Sequence, residues 1–311
     1  MPFDLALVPD RRGTDAAMTM HLPVMLEEAV AGLAVRGDGI YCDGTFGRGG
    51  HSGAILAQLN DAGRLHGFDQ DPQAVAHARE RFAADPRFTI HHANFVELSR
   101  VATEAGIAGR IDGVLLDLGV SSPQFDDAAR GFSFSKDGPL DMRMNPQAGE
   151  SVAEWLAHAG EAEIADVLWQ YGDERNSRRI ARRIVDTRMA SPLTTTLQLA
   201  ALIASVPGPR SRKIHPATRS FQALRIYINR ELDVLSSVLE QAITVLAPGG
   251  RIVVISFHSL EDRIVKRYLR DQARCENPRL KLHGKQFPSR DECVANPRAR
   301  SAVLRIAERL S

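Results

Sequence analysis

The stretch that decides the fold runs Gly39-Ile-Tyr-Cys-Asp43-Gly-Thr-Phe-Gly47-Arg-Gly49-Gly50-His51. A short apolar run that stops at an acid and then meets glycines is typical of a buried strand that turns into a helix. Glycines let the backbone come close to a ligand, and the N-terminus of the next helix offers N–H groups to an anion such as a carboxylate. The alternative interpretation is a tight turn that binds nothing.

The glycine pattern also limits which ligand the loop can take. A nicotinamide-type Gly-x-Gly-x-x-Gly motif would need glycine at position 52, where Ser52 stands. A phosphate-binding Gly-Lys-Ser/Thr motif is also missing from this loop. The pattern therefore argues against a dinucleotide or a nucleoside triphosphate.

Strands and helices are predicted to alternate on both sides of this loop. Further apolar runs predict strands at 65–69, 88–92, 111–117 and 251–257, in addition to 39–43. Helical patterns fall between or beside them, at 24–33, 52–59, 71–83, 96–107 and 232–246. This alternation predicts an α/β fold, with a parallel sheet covered by helices on both faces.

The middle of the chain breaks the alternation. Residues 126–150 have a loop composition, 151–206 are predicted to be helical only, and 207–220 form a connection rich in Pro, Arg and Ser. We therefore predict a discontinuous α/β domain of residues 21–125 and 226–311. A helical domain of residues 126–225 is inserted into it, and residues 1–20 form a loose tail.

Three candidate ligand contacts follow the predicted strands. Asp69 ends the second strand about twenty residues beyond Gly49, where an acid accepts hydrogen bonds from ribose hydroxyls. Asp117 ends the fourth strand, and ligands of open α/β sheets bind beyond the carboxyl ends of strands. Phe95 follows the third strand, where an adenine ring would lie. The alternatives are a helix-start acid for Asp69, a turn at Asp117 and plain core for Phe95.

After the last predicted strand, Ser259 and Asp262 have the spacing of a helix capping box. His258 beside them is a possible site residue, although a lone histidine is more often structural. The three cysteines, Cys42, Cys275 and Cys293, are too few and too scattered for a disulfide framework or a zinc site. They fit an intracellular, cytoplasmic location.

Length and composition agree with this interpretation. The 311 residues allow about two domains. No apolar run approaches the ~20 residues that a membrane helix needs. The N-terminal arginines follow the short apolar stretch instead of preceding it, so a secretory signal is not predicted.

The formal net charge of +1 hides three basic clusters. Residues 175–188 hold six arginines and one acid, 207–230 hold six bases and no acid, and 263–300 hold eleven bases and four acids. Such clusters can neutralise phosphates, and the alternative is a solvated helix face. We interpret six of these residues as candidate RNA contacts: Arg178, Arg179, Arg182, Arg183, Arg212 and Lys213.

These observations predict an α/β domain that binds a nucleoside-containing cofactor, with S-adenosylmethionine suggested by the loop and the strand-end acids. Two classes of function stay open at this point. One is a nucleic-acid methyltransferase, and the other is a nicotinamide oxidoreductase or a nucleoside-binding protein without chemistry.

The chain also resembles a known family, the MraW family of ribosomal RNA small-subunit methyltransferases. The resemblance covers about residues 21–308, because several long strings occur in the family's order. These strings begin at His21, Asp43, Leu116, Arg130, Asp137, Ser256 and Asn296: His21-Leu-Pro-Val, Asp43-Gly-Thr-Phe-Gly-Arg-Gly-Gly-His-Ser52, Leu116-Asp-Leu-Gly-Val-Ser-Ser-Pro-Gln124, Arg130-Gly-Phe-Ser-Phe134, Asp137-Gly-Pro-Leu-Asp-Met-Arg143, Ser256-Phe-His-Ser-Leu-Glu-Asp-Arg263 and Asn296-Pro-Arg-Ala-Arg-Ser301.

The resemblance implies a class I methyltransferase fold with an inserted helical domain for substrate recognition. It implies methyl transfer from S-adenosylmethionine to N4 of one cytidine in the decoding region of bacterial 16S ribosomal RNA. Carried over by position, the cofactor contacts are Gly49, Gly50, His51, Asp69, Phe95, Asp117 and Gln124. The resemblance supplies no catalytic base, since Asp117-Leu-Gly-Val stands where many amino-methyltransferases have Asp/Asn-Pro-Pro-Tyr.

Overall fold

A computed structural model of the chain describes residues 23–208 and 214–311. In this part of the chain one seven-stranded sheet has the order β3-β2-β1-β4-β5-β7-β6. The strands are β1 (Ile40–Asp43), β2 (Arg64–Asp69), β3 (Phe88–His92), β4 (Ile111–Asp117), β5 (Leu246–Ser256), β6 (Leu280–Gln286) and β7 (Val303–Arg309). The five strands that the sequence predicts are confirmed.

The first five strands are parallel, and the last two are not. β1 lies between β2 and β4, with Tyr41 opposite Leu65 on one side and opposite Gly113 on the other. β7 runs antiparallel between β5 and β6. The sequence did not predict β6 and β7, because β6 buries only its first residue and so lacks an apolar run.

Helices cover both faces of the sheet, as predicted. The α-helices of the described residues are α1 (Leu26–Leu33), α2 (Gly50–Leu56), α3 (Pro72–Arg81), α4 (Leu98–Glu104), α5 (Ser122–Asp126), α6 (Val152–His158), α7 (Glu161–Gly172), α8 (Ser177–Ala190), α9 (Thr196–Ser205), α10 (Thr218–Ile228), α11 (Glu231–Val245), α12 (Ser259–Arg274) and α13 (Arg290–Ala295). One core lies between the sheet and α4, α11 and α12, and another lies between the sheet and α1 and α2.

Helices α6 to α10, which we call the helical unit, enclose a core of their own around Trp155, Leu168 and Leu224. The unit leaves the sheet after β4 and returns before β5, so it interrupts the α/β domain. α10 continues to Ile228, and Tyr227 and Ile228 pack against the core of the unit. The predicted boundary between residues 225 and 226 therefore falls inside this helix.

The two remaining structural predictions concern the N-terminal tail and membrane-spanning helices. The predicted tail of residues 1–20 lies outside the described residues. None of the helices described is long and apolar enough to cross a membrane. Short 3₁₀ helices complete the fold at Phe95–Glu97, Ala128–Arg130 and Pro297–Ser301.

Candidate functional site

The candidate site lies at the carboxyl ends of β1, β2 and β4, where the structure brings Asp43, Asp69 and Asp117 together. Parallel strands of an open sheet leave a crevice at this edge, and the neighbouring connections run away from each other there. The sequence predicted this meeting of strand ends, and the structure shows which atoms meet.

The glycine loop has the sharp backbone that its sequence suggests. Gly47 and Gly49 have φ angles of 55° and 69°, in the left-handed region that favours glycine. Gly49 is the N-cap of α2, and a Cβ atom there would lie 2.5 Å from the Phe46 ring. The loop is therefore a tight turn, as the alternative interpretation held, and it also presents a helix N-terminus to the crevice.

Asp43 anchors this loop, a role that the sequence did not reveal. Its carboxylate accepts hydrogen bonds from the Ser52 hydroxyl at 2.6 Å and from the Thr45 backbone N–H at 3.1 Å. Asp43 is buried, and burial raises the pKa of its carboxyl group. Ser52, which breaks the dinucleotide motif, thus has a structural purpose here.

Asp69 fixes the other side of the loop. Its two carboxylate oxygens accept backbone N–H groups, from Gly47 at 2.8 Å and from Asp71 at 2.9 Å. Burial raises the pKa of Asp69 to about 7, although both hydrogen bonds act in the opposite direction. The helix cap is Asp71, which accepts from the Gln73 N–H, so Asp69 is not the helix-start acid.

His51, in the first turn of α2, faces Asp117, at the end of β4. The Nε2 atom of His51 lies 3.1 Å from the Val24 carbonyl, which can only accept, so Nε2 carries the proton and Nδ1 is a lone pair. Nδ1 in turn lies 3.7 Å from Oδ2 of Asp117. The other oxygen, Oδ1, is buried and has no hydrogen-bond partner among the described residues.

Burial is the main cause of the pKa shifts of this pair. It lowers the pKa of His51, against the attraction of Asp43. It raises the pKa of Asp117 well above its usual value, and the charges of Asp43 and Glu261 add to the effect. Burial therefore keeps His51 a neutral acceptor and disfavours the negative charge of Asp117, which a positively charged donor would stabilise.

Phe95 and Gln124 lie beside residues that follow β1 and β2: a Cβ atom at Gly44 would lie 3.2 Å from Phe95 Cβ, and Gln124 contacts Asp71. Phe95 begins a 3₁₀ helix and is half-buried against the core beneath α4 and α11, so the plain-core alternative describes part of its surface. Gln124 is buried, and its amide already has two protein partners: it accepts the Ser121 N–H at 3.0 Å and donates to Asp71 Oδ2 at 2.8 Å. One N–H of Gln124 remains for any further contact.

The predicted capping box after β5 is shifted by one residue. His258, not Ser259, is the N-cap of α12, and its Nδ1 accepts the Glu261 N–H at 3.4 Å while Glu261 accepts backbone N–H groups in return. Asp262, the other residue of the predicted box, instead pairs with Arg305 at 2.7 Å. The structural interpretation of His258 fits this geometry.

His258 also belongs to a buried charged cluster that the sequence did not reveal. Ligand atoms of Glu231, His258 and Glu261 lie within 4.8 Å of one another, a spacing that could hold a metal ion. However, the Arg225 guanidinium already binds both oxygens of Glu231, at 2.7 and 2.8 Å. Because His258 Nδ1 accepts an N–H, its Nε2 carries a proton and offers no lone pair to a metal. The cluster ties α10 of the helical unit to α11 and α12.

The arginines of α8 form one exposed ridge. Ile180, Ala181 and Ile184 face the core of the helical unit, which turns the arginines outward. Arg178, Arg179, Arg182 and Arg183 line a surface groove of about 490 Å³ together with Ser205, Val206 and Pro207. Arg179 donates a hydrogen bond to the Pro207 carbonyl, and Arg182 forms an ion pair with Glu161 at 3.4 Å. Arg212 and Lys213 lie outside the described residues.

Comparison with known proteins decides among the functional classes left open by the sequence. A sequence profile of the MraW methylase family matches residues 18–310. The chain belongs to this family. It is therefore a methyltransferase with the class I α/β fold, and S-adenosylmethionine is its methyl donor. The oxidoreductase and the non-catalytic alternatives are set aside.

Two relatives illustrate how close the family is. The chain is 58% identical over 306 residues to ribosomal RNA small subunit methyltransferase H of Thioalkalivibrio sulfidiphilus, covering 94% of this chain and 98% of that protein. It is 54% identical to the protein of the same name from Hydrogenovibrio crunogenus, covering 93% and 96%. Among solved structures, it aligns with an rRNA methylase from Streptococcus thermophilus at 11% identity and a TM-score of 0.44, covering 92% of this chain and 95% of that one.

Proposed function

We propose that this methyltransferase transfers the methyl group of S-adenosylmethionine to the exocyclic N4 of a cytidine in the decoding region of bacterial 16S ribosomal RNA. The match over nearly the full chain to relatives named ribosomal RNA small subunit methyltransferase H carries the proposal. Since the proposed substrate is bacterial ribosomal RNA, we also propose that the enzyme acts in the cytoplasm.

The crevice suits the charge distribution of the methyl donor. S-adenosylmethionine carries a positive α-ammonium group and a positive sulfonium. We place the ammonium beside the His51 lone pair and the Asp117 carboxylate, because their facing atoms lie 3.7 Å apart and Oδ1 of Asp117 has no hydrogen-bond partner among the described residues. A charged donor there would satisfy both acceptors and favour the ionised form of Asp117.

The remaining cofactor contacts follow from their positions around the crevice. The glycine loop with Gly49 and Gly50 would face the methionyl end, Asp69 the ribose hydroxyls and Phe95 the adenine. Gln124 would add its one remaining N–H and, by holding Asp71, keep β2 and α5 in place.

In this reaction, the main task of the protein is to position the methyl donor and the target amine. When bound, S-adenosylmethionine supplies an activated methyl group on its sulfonium. The N4 lone pair of cytosine is a weak nucleophile because it is conjugated with the ring, so acceptors near the amine would help as positive charge develops there. Positioning the two reactants can lower the barrier by up to roughly 7–11 kcal/mol. The base must also be splayed or flipped out of its stack to reach the crevice.

We assign substrate recognition to the inserted segment that the sequence predicts at residues 126–225, which contains most of the helical unit. Its arginine ridge lines a groove next to Val206 and Pro207, and exposed guanidinium groups bind phosphates well. The Arg225–Glu231 pair links the unit to α11 and so fixes where it sits above the sheet edge.

The deciding experiment uses small ribosomal subunits from cells that lack this enzyme. Incubation with the purified protein and labelled S-adenosylmethionine should place one methyl group on one cytidine, detected as N4-methylcytidine after nuclease digestion and mass spectrometry. Label on another base, or at many sites, would contradict the proposal. Protein-free 16S rRNA in parallel shows whether the substrate is RNA alone or the assembled subunit.

A further inference from the structure

A small exposed stack lies at the end of α5, outside the residues assigned to the cofactor. It consists of Phe125, at the end of α5, and Arg298, in the 3₁₀ helix Pro297–Ser301. The guanidinium carbon of Arg298 lies 4.9 Å from the centre of the Phe125 ring. Phe125 is 39% exposed and the Arg298 side chain 42% exposed, so the stack reaches solvent.

Hydrogen bonds and helix caps hold both members of the stack in place. The Arg298 Nη2 atom donates to Asp126 Oδ1 at 2.6 Å, which fixes the guanidinium beside the ring. Asn296 caps the 3₁₀ helix by accepting the Arg298 N–H, and Ala299 buries itself in the core next to it. α5 is fixed by its Ser121–Gln124 capping box.

The short helix that carries Phe125 begins beside the candidate site. α5 follows directly after the end of β4, where Asp117 stands. A Cβ atom at Gly47 of the glycine loop would lie 3.7 Å from the Ser121 side chain, and Ser121 caps the helix that carries Phe125. A substrate strand that delivers a base to the crevice would therefore pass near the stack.

We propose that Phe125 and Arg298 form a stacking platform for a nucleotide that flanks the target cytidine. Unpaired bases stack on aromatic rings and on arginine planes, and this platform offers both with the arginine already oriented. The same arginine supplies a positive charge beside the flanking phosphate. This inference rests on the proposed function, since it takes ribosomal RNA as the substrate.

Two pairs of variants separate stacking from charge. Phe125→Ala removes the aromatic ring, and Phe125→Trp keeps one. Arg298→Lys keeps the positive charge but loses the planar guanidinium, and Arg298→Ala loses both. With small ribosomal subunits as substrate, Phe125→Ala should raise KM by roughly 5- to 150-fold, with kcat changed less than about twofold. Phe125→Trp should restore KM, and Arg298→Lys should still raise KM, although less than Arg298→Ala, because lysine keeps the charge and loses the planar guanidinium.

Controls keep the outcome decisive. Cofactor affinity, measured by calorimetry, should be unchanged in all variants, because neither Phe125 nor Arg298 is assigned to the cofactor. If Phe125→Ala does not fold, Phe125→Leu carries the test, since it keeps the apolar contact and lacks the aromatic face. An unchanged KM in the folded ring-less variant, or full activity of Arg298→Lys, would overturn the platform.

The result also distinguishes failure of the platform from failure of the proposed function. If the wild-type protein methylates no cytidine in the subunit, the proposed function is wrong. If the wild-type protein is active and the variants have an unchanged KM, only the platform is wrong. Binding to protein-free 16S rRNA is measured for the same variants. If that binding is unchanged while activity on subunits falls, the stack contacts a ribosomal protein, which also overturns the proposal.

Discussion

Arg130 reaches back across the crevice to Asp71, with its Nη1 atom 2.6 Å from Asp71 Oδ2 and the two side chains only 7% and 4% exposed. The same guanidinium donates to the carbonyls of Arg143 and Met144, and Gln124 donates to the same Asp71 oxygen. This buried junction joins the start of α3, the helix after β4 and the loop that leads into the helical unit. It fixes the wall of the crevice on the side of Asp69.

We expect this junction to be a major source of stability. Arg130→Met should lower the free energy of unfolding by about 3–5 kcal/mol, because Asp71 would stay buried without its cation. The matched control is Arg143→Met, which breaks a pair with Asp141 whose side chains are 21% and 22% exposed, and it should cost about 1 kcal/mol. Urea unfolding curves measure both, and equal losses would show that burial of the Arg130 pair adds nothing.

A second prediction concerns Asp69 and the cofactor. Asp69→Ala should weaken S-adenosylmethionine binding by roughly 10- to 150-fold in a folded protein, the range expected for a lost hydrogen bond to a charged group. Because Asp69 also holds Gly47, Asp69→Asn is the milder variant, which keeps an acceptor and removes the charge. Unchanged affinity of a folded Asp69→Ala protein in titration calorimetry would remove Asp69 from the site.

The raised pKa of Asp69 gives this binding a pH dependence. The carboxylate accepts hydroxyl hydrogen bonds best when ionised, and burial raises its pKa to about 7. Cofactor affinity of the wild-type protein should therefore increase as pH rises through about 7 and decrease below it. The Asp69→Asn protein lacks this ionisation and should show a flatter profile between pH 6 and 8. Parallel profiles would assign the titration to another group.

A third prediction tests the role of Asp117. Asp117→Asn keeps the size of the side chain and removes the charge, and its amide can donate to the His51 lone pair that we assign to the cofactor ammonium. We expect cofactor affinity to fall, with the single-turnover rate at saturating cofactor largely retained. Normal affinity with a rate lower by about 10²–10³ would instead make Asp117 a catalytic acceptor for the amine. Calorimetry and rapid-quench kinetics measure the two quantities separately.

The fourth prediction concerns the arginine ridge. Replacing Arg178, Arg179, Arg182 and Arg183 with glutamine should weaken RNA binding and flatten its salt dependence. Each lost phosphate contact should reduce the log–log slope by roughly 0.7–0.9. Cofactor affinity should stay the same, because the ridge is on α8, outside the crevice.

The control for the ridge removes the same number of charges elsewhere. Arg263, Lys266, Arg267 and Arg274 are exposed on α12, outside the helical unit, and their replacement with glutamine should change the slope less. An identical slope change in the two quadruple variants would mean that the ridge contributes only general positive charge.

The sequence by itself determined the strands, the helices between them and the glycine loop, because burial imposes a short-range pattern on apolar residues. It also placed Asp69 and Asp117 at one edge, since the carboxyl ends of parallel strands must meet there. The sequence analysis did not predict the antiparallel strands β6 and β7. β6 is an exposed edge strand whose residues carry no burial pattern.

Only the tertiary structure decided which polar groups bind one another. Asp71 meets Gln124 and Arg130 across 53 and 59 residues of chain, and the Arg225–Glu231 pair comes to lie beside His258. The N-cap of α12 is His258 and not Ser259, because Asp262 forms an ion pair with Arg305 on the neighbouring strand. A hydrogen bond depends on positions within a few tenths of an ångström, and packing of distant segments sets those positions.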